Sequence, residues 1–519
     1  MGLFYSINRL FSEFGWKFVF SVVIVYGLNQ GMGEGWFYAL QRYYFKDIMY
    51  LTPSVAQLMT AAARTPWNIK PIYSIVSEAL PIFGYRRTYY VALAGVVGAF
   101  GWGLLYITSH IGSHDLGITV LAMFLGCFAN ASPDVMIDAA VSEQSKEKPA
   151  AAADLHALCS YSASICGATA TLTSGFLVQY VGVSESFGLM FGSSAIMLVP
   201  SLLGWLGEKP VHPITPSTVP GQEKLGSRSA ANPDNLECPT SATVPTSAST
   251  ASLLKKIKQE TFMGISIMLA FCASSIAFVV VFTNGHGIII LISIFITIAF
   301  LLVALYVQFN VRFRLLTKVA TFIFLRECFQ LDTDQALFYW VTQYQHGPLI
   351  SSEFVGYMAT VGFCAMFLGV AFYNRFLYQY SYRKIFVLST ILCAVAPLLD
   401  FILLKRWNLS VDISDRVFLL IDFTINPMVR RLIYIPLCVL AARVCPAGVE
   451  ATLFALLMSI GNFGHDLSSY LGALLIGYLE IGEPHYQYFP HLIILKSALR
   501  LVPLIMIPFL VPDGSPEDE

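Results

Sequence analysis

Long apolar runs, each about the length of one bilayer crossing, alternate with short polar breaks along almost the whole chain. A helix needs about 20 apolar residues to cross hydrocarbon. The runs therefore predict spanning helices near 18–44, 54–80, 88–109, 116–142, 152–181 and 186–207. A second series predicts helices near 261–283, 287–309, 317–345, 352–379, 384–404, 416–442, 449–479 and 490–511, giving about 14 spans in all. Between the series, residues 208–254 are rich in Pro, Ser, Thr and Asn, cannot bury a core, and read as a disordered linker.

Composition agrees with an all-α membrane protein: 56% of the 519 residues are hydrophobic and 12% charged, against roughly 45–50% apolar in soluble domains. A net charge of −1 lacks the basic surplus that binding nucleic acid requires, so nucleic acid is excluded as a partner. The ten cysteines are scattered singly, most within apolar runs and without metal-ligand spacing. They read as packing residues, and no cofactor or metal site is expected. The opening segment MGLFYSINRLFSEFGWK runs into a span too long for a signal-peptide core. No cleavable leader is expected, which favours the plasma membrane or an endomembrane over the chloroplast envelope.

Charge in the short loops gives the expected sidedness. Arg86, Arg87, Lys146, Lys148, Lys255, Lys256, Lys258, Arg312, Arg314, Lys384 and Arg443 fall in loops on one side. Excess Lys and Arg marks the cytoplasmic side, so both termini are predicted to be cytoplasmic. The loop at 405–416 breaks the pattern, but its Asn408-Leu409-Ser410 sequon fits an external position.

An internal repeat is visible across the linker. GWFYALQRYYFKDIMYLTPSVAQLMTAA parallels QALFYWVTQYQHGPLISSEFVGYMATVG, and GYRRTYYV parallels SYRKIFVL about 40 residues further on. On this alignment the runs at 261–283 and 287–309 have no partner. The expected organisation is an N-terminal six-helix bundle at 1–207, a linker at 208–260, an inserted transmembrane hairpin at 261–315, a C-terminal six-helix bundle at 316–511 and a cytoplasmic tail at 512–519. Two six-helix bundles in parallel orientation are the arrangement of major facilitator transporters, with substrate held between the halves near the midplane.

Charges inside the membrane mark candidate sites, since a carboxylate at a helix centre costs roughly 2.5–3.5 kcal/mol on insertion scales. Asp134 and Asp138, in SPDVMIDAAV, lie one helical turn apart on one face, where two carboxylates disfavour joint ionisation. Asp138 also lies close enough to the cytoplasmic end to be a gate residue. Lys70 is the preferred positive partner, in a segment loosened by Pro66 and Pro71, and Arg64 is the second. Glu34, in NQGMGEGW, is a third buried acid. The second half supplies Glu327, Asp332, Asp334, Asp422, Arg430 and Arg431, with Arg431 aligned on Asp134 across the repeat. His465 and Asp466 read as a pair that hydrogen-bonds between helices.

The segments TPWNIKPIYSIVSEALPIFGYRRTYY, SPDVMIDAAV and LAARVCPAGVEATLFALLMSIGNFG together resemble the folate-biopterin transporter family of the major facilitator superfamily. The resemblance covers nearly the whole chain outside the linker and hairpin. It departs at Glu78, where the family has Asp, at Ser74, where Gly is common, and at Arg64, where a small or apolar residue is usual. It implies a monomeric secondary transporter of folates or pterins, coupled to protons and acting as a symporter. Asp134, Lys70, Arg431, Asp422 and Glu34 are the implied substrate contacts. Asp138 and Asp134 are the proton-coupling candidates, and Glu78, Arg86 and Arg87 form the cytoplasmic gate. In this account Asp134 accepts the pterin edge in a two-point hydrogen bond, and Lys70 or Arg431 binds a glutamate-tail carboxylate. A carrier of another organic anion is the alternative. A membrane-embedded enzyme or a non-transporting receptor is the more distant one, since no hydrolase or metalloprotease motif is present.

Overall fold

The computed structural model describes residues 2–148, 151–210, 247–283, 285–309, 314–445 and 450–514, and these residues form an all-helical fold. The first half begins with α1 (Gly2–Phe14), α2 (Trp16–Val22), a π-helical stretch (Val23–Met32) and α3 (Gly33–Tyr43). It continues with α4 (Pro53–Ala63), α5 (Lys70–Ala79), α6 (Thr88–Ile111), α7 (Leu116–Glu147), α8 (Ala152–Phe176), α9 (Val183–Ala195) and α10 (Leu198–Leu202). Two long helices follow, α11 (Ser247–Phe282) and α12 (Gly287–Phe309). The second half comprises α13 (Arg314–Cys328), α14 (Asp334–Thr342), α15 (Ser352–Phe372), α16 (Tyr382–Val395), α17 (Leu398–Leu404) and α18 (Trp407–Ser410). It ends with α19 (Asp415–Arg443), α20 (Glu450–Tyr478), α21 (Phe489–Leu499) and α22 (Pro503–Leu510).

Among the described residues nine helices are long and apolar enough to cross a membrane, or ten if the bent N-terminal pair counts as one span. That bend is sharp: Gly15 adopts φ 76°, and the first helix turns 111° from the next. Such a φ is open to glycine at little cost. Four helical segments fall outside the count: α4 with α5, α8, α13 with α14, and α20. These are the segments whose polar side chains meet the opposite half, which lowers their hydropathy. By contrast, α12 turns Ile288, Ile292, Phe295, Ile296 and Val303 outward. The pair α11–α12 packs against α4, α5 and α20, along the seam where the halves meet.

The linker expected around 208–254 falls mainly on 211–246, outside the described residues. Its two ends are ordered elements. Helix α11 starts at Ser247, ahead of the expected 261. Glu208 accepts hydrogen bonds from the backbone N–H groups of Arg86, Arg87 and Thr88 at 2.7, 3.1 and 3.0 Å.

The duplication read in the sequence reappears in backbone detail. Tyr50 and Leu349 share a left-handed φ of 52° and 48°. Two residues on, Thr52 and Ser351 cap α4 and α15 through their hydroxyls, each accepting from a backbone N–H at 3.4 Å. The loop arginines repeat as well: where Glu208 holds the 86–88 loop, Arg383 pairs with Asp513 at 2.6 Å.

The halves join at one end. Gln57 Nε2 donates to the carbonyls of Asp332 and Ser469 at 3.0 and 2.8 Å, and Ser54 Oγ donates to that of Ala473 at 2.7 Å. Tyr339 donates to the Leu51 carbonyl at 3.0 Å, Ser352 to Gln179 Oε1 at 3.0 Å, and Tyr180 to Glu353 at 2.6 Å. Close backbone approach makes this possible: a Cβ on Gly175 of α8 would lie 2.3 Å from the Ser352 carbonyl oxygen. Nearer the middle, Asn68 donates to Asp466 at 2.7 Å. Among the described residues no hydrogen bond or ion pair joins the halves towards the opposite end, where the 80–88 and 377–382 loops lie.

Candidate functional site

Three helices deliver polar residues at four-residue spacing to one cavity between the halves. In the NQGMGEGW segment a Cβ on Gly31 would sit 2.5 Å from the Ala163 carbonyl oxygen, and one on Gly35 2.7 Å from the Ala170 Cβ. These glycines let the first span press onto α8, which leaves Glu34, Tyr38 and Arg42 in one row facing the cavity. On α19 the row is Asp422, Asn426 and Arg430, with Arg431 and Tyr434 beside it. On α21 and at its C-cap it is Lys496 and Arg500. Arg64, Asp334, Phe338 and Asp400 add to the polar and aromatic lining of a space of about 720 Å³.

Cations outnumber acids in this lining, and several have no acid of their own. Arg42, Arg64, Arg430 and Arg431 make no ion pair among the described residues. Three of them lie over aromatic rings: Arg64 at 4.9 Å from the Tyr38 centroid, Arg42 at 5.7 Å from Phe338 and Arg431 at 5.2 Å from Tyr434. Ring contact holds a guanidinium in place while its N–H groups stay free for an anion. Lys496 Nζ donates to Thr333 Oγ1 at 2.9 Å and lies 3.8 Å from Asp334, and Arg500 donates to the Cys393 carbonyl at 3.1 Å. Asn426 donates to Asp422 at 2.6 Å, and Asp400 lines the same cavity from α17.

Of the residues singled out in the sequence, Glu34, Arg64, Asp334, Asp422, Arg430 and Arg431 are brought together here. Lys70, Asp134 and Asp138 are not part of this lining. They form a separate network inside the first half. Lys70 Nζ donates to Asp134 at 2.5 Å and lies 4.1 Å over the Trp67 ring, while Tyr26 donates to Asp138. The two aspartates are tolerated at membrane depth by these partners. At the loop end, the Arg87 guanidinium meets Glu143 rather than Glu78, and Glu208 takes the backbone N–H groups of Arg86 and Arg87. Arg326 pairs with its neighbour Glu327, and Asp332 accepts from Ser469 at 3.0 Å. The residues that sequence reasoning passed over are Arg42, Asp400, Lys496 and Arg500, all charged residues inside or at the end of apolar runs. Among the described residues no group of three or more His, Cys, Asp or Glu is placed to hold a metal.

Two sets of membrane helices around one charged cavity define the class: a solute transporter of the major facilitator fold. Solved transporters with this architecture align along almost the whole length. The POT family transporter PepTSo is 11% identical, with a TM-score of 0.58, 95% of this chain covered and 97% of that one. A D-xylose–proton symporter is 10% identical, with a TM-score of 0.56, 96% of this chain covered and 98% of that one. More specifically, the chain belongs to the BT1 family, whose sequence profile matches residues 30–518. "Probable folate-biopterin transporter 2" of Arabidopsis thaliana is 30% identical over 509 residues, covering 98% of this chain and 85% of that protein. The "Folate-biopterin transporter" of Synechocystis sp. is 26% identical over 92% of this chain and 78% of its own length. "Folate transporter 1" of Plasmodium falciparum is 24% identical over 91% of this chain and 75% of its own. These relatives are named as transporters, and this protein is a multi-pass membrane transporter rather than an enzyme.

Proposed function

We propose that this protein carries folates or pterins across a membrane by alternating access, coupled to proton movement. The carrying observation is the cavity itself, where an acidic and aromatic row on α3 faces an arginine group on α19. A pterin edge offers an N–H and an amino group side by side, which one carboxylate accepts at two points. Glu34 fits that task better than Asp134, because Asp134 is engaged by Lys70 while Glu34 lines the cavity. The pterin and benzoyl rings lie against Tyr38 and Phe338, and a glutamate tail places its carboxylates on Arg430 and Arg431. The names of the relatives point to the same substrates.

In this reading the four polar segments cross the bilayer with the others, giving twelve core spans, and α11–α12 is an added hairpin on the seam. Joined at one end and unlinked at the other, the halves are in the state open towards the Lys- and Arg-bearing loops, the cytoplasmic side by the positive-inside rule. A single chain holds a complete cavity, so a monomer suffices.

Uptake of labelled folate and biopterin by cells expressing the protein tests the proposal. Wild type accumulates both, and collapse of the proton gradient abolishes accumulation. Arg431→Gln, at equal surface level, raises the KM for folate about 10-fold or more while sparing biopterin, as expected for a lost charge-assisted hydrogen bond of about 1.5–3 kcal/mol. Equal loss for both substrates would remove Arg431 from the tail site. No uptake by wild type inserted in the membrane would reject the substrate class.

A further inference from the structure

Among the acids of the cavity, Asp400 and Asp422 stand apart. They are 5% and 3% exposed, and both line the cavity, from the packed helices α17 and α19. Asp422 accepts from a neutral amide, Asn426 Nδ2, and among the described residues Asp400 Oδ1 has no hydrogen-bond partner. Neither carboxyl makes a salt bridge among the described residues. Two buried carboxylates lining one cavity from adjacent helices repel, and a shared proton removes that repulsion. The charged groups around the pair are Lys496 and Arg500 on α21, Asp334 on α14 and Arg430 further along α19. Of these, Lys496 is already committed to Thr333 Oγ1 and lies near Asp334.

We propose that Asp400 and Asp422 form a single proton-binding site that Lys496 links to the closed end of the cavity. This deepens the transport reading above and rests on it for its physiological meaning. A proton from water adds to one carboxylate oxygen of the pair, leaving the pair with one negative charge and Lys496 on Thr333. When that proton returns to water, the pair becomes doubly negative and draws the Lys496 ammonium away from Thr333. Thr333 sits in the break between α13 and α14, next to Asp332, whose carbonyl accepts from Gln57 of the other half. Loss of the proton thus withdraws a support from the segment that holds the halves together.

Infrared difference spectroscopy of the purified protein reads the site without any substrate. Wild type shows a protonated-carboxyl C=O band that disappears as pH rises, and Asp400→Asn/Asp422→Asn lacks it. A band unchanged in the double variant would overturn the proposal. In proteoliposomes, an imposed pH gradient drives folate accumulation by wild type. The double variant loses accumulation, and its remaining folate exchange no longer varies with pH. Lys496→Met keeps the infrared band and loses accumulation. Gradient-driven accumulation equal to wild type in the double variant overturns the site, and in Lys496→Met it overturns the link. If wild type moves neither folate nor biopterin, the substrate reading falls and the infrared comparison still decides the proton site.

Discussion

A charged side chain at membrane depth is explained by its partner, and Lys70 and Asp134 illustrate the rule. Their 2.5 Å bond lies in a first-half network in which Trp67 covers the ammonium. Removing one member of a buried pair leaves the other uncompensated, at a cost of about 3–5 kcal/mol. Lys70→Met is therefore expected to lower thermal stability in detergent sharply, and Lys70→Met/Asp134→Asn to recover most of the loss, as read from a double-mutant cycle. A Lys70→Met protein as stable as wild type would show that the pair does not hold the half together. The sequence announced Asp134 and Asp138 as anomalous, because two acids share a face in an apolar helix. The cation was legible too: Lys70, singled out as the positive partner, is the residue that pairs with Asp134. What stayed hidden were Arg42, Asp400, Lys496 and Arg500. Weighed singly, each is an isolated charge near a span end. Taken at four-residue spacing, Glu34 with Tyr38 and Arg42, and Lys496 with Arg500, are rows on single helix faces, and that signal was available.

At the scale of elements, apolar run length was a dependable guide, because every backbone polar group in hydrocarbon must be satisfied within its own helix. Nine or ten of the expected runs are spans by length and hydropathy among the described residues, while those at 54–80 and 317–345 are each broken into two helices. Two long helices that fall short as spans, α8 and α20, face the opposite half, and hydropathy registers them only weakly. Small residues carry these contacts. A Cβ at Gly175 would meet the Ser352 carbonyl oxygen at 2.3 Å and the Glu353 Cα at 2.7 Å, both backbone atoms with no room to give. Gly175→Ala is thus expected to prise α8 from α15 at the joined end. Spin labels at the exposed Tyr50 and Tyr478, one on each half, should report longer distances in the variant, and an unchanged distribution would mean that the contact does not set the closure. The boundary of α11 was less legible, since Ser, Ala and Thr at its start carry no apolar signal even though the helix begins there.

For the whole molecule, the repeat in the sequence foretold the paired architecture, down to the matching caps at Thr52 and Ser351, but not which end of the cavity would be joined. Alternating access requires that junction to open in every cycle. Ser54 and Gly477 allow a direct trial: a Cβ built on Gly477 lies 3.5 Å from the Ser54 Cβ, within the usual separation of roughly 3.5–4.5 Å for disulfide-linked residues. Oxidised Ser54→Cys/Gly477→Cys is expected to bind folate from the open side but move none, with reduction restoring uptake. Transport by the fully oxidised protein would rule out rocking about this end. The junction has a further property. Its bonds run chiefly from neutral side chains to backbone carbonyls, and among the described residues no ion pair crosses it. Dissolved ions weaken attraction between exposed charges over about 8–10 Å at ordinary ionic strength but leave neutral hydrogen bonds nearly untouched. Brine and fresh water should therefore find the same latch, and only the catching of the anion should feel the difference: with rising salt, KM for folate climbs while the maximal rate holds.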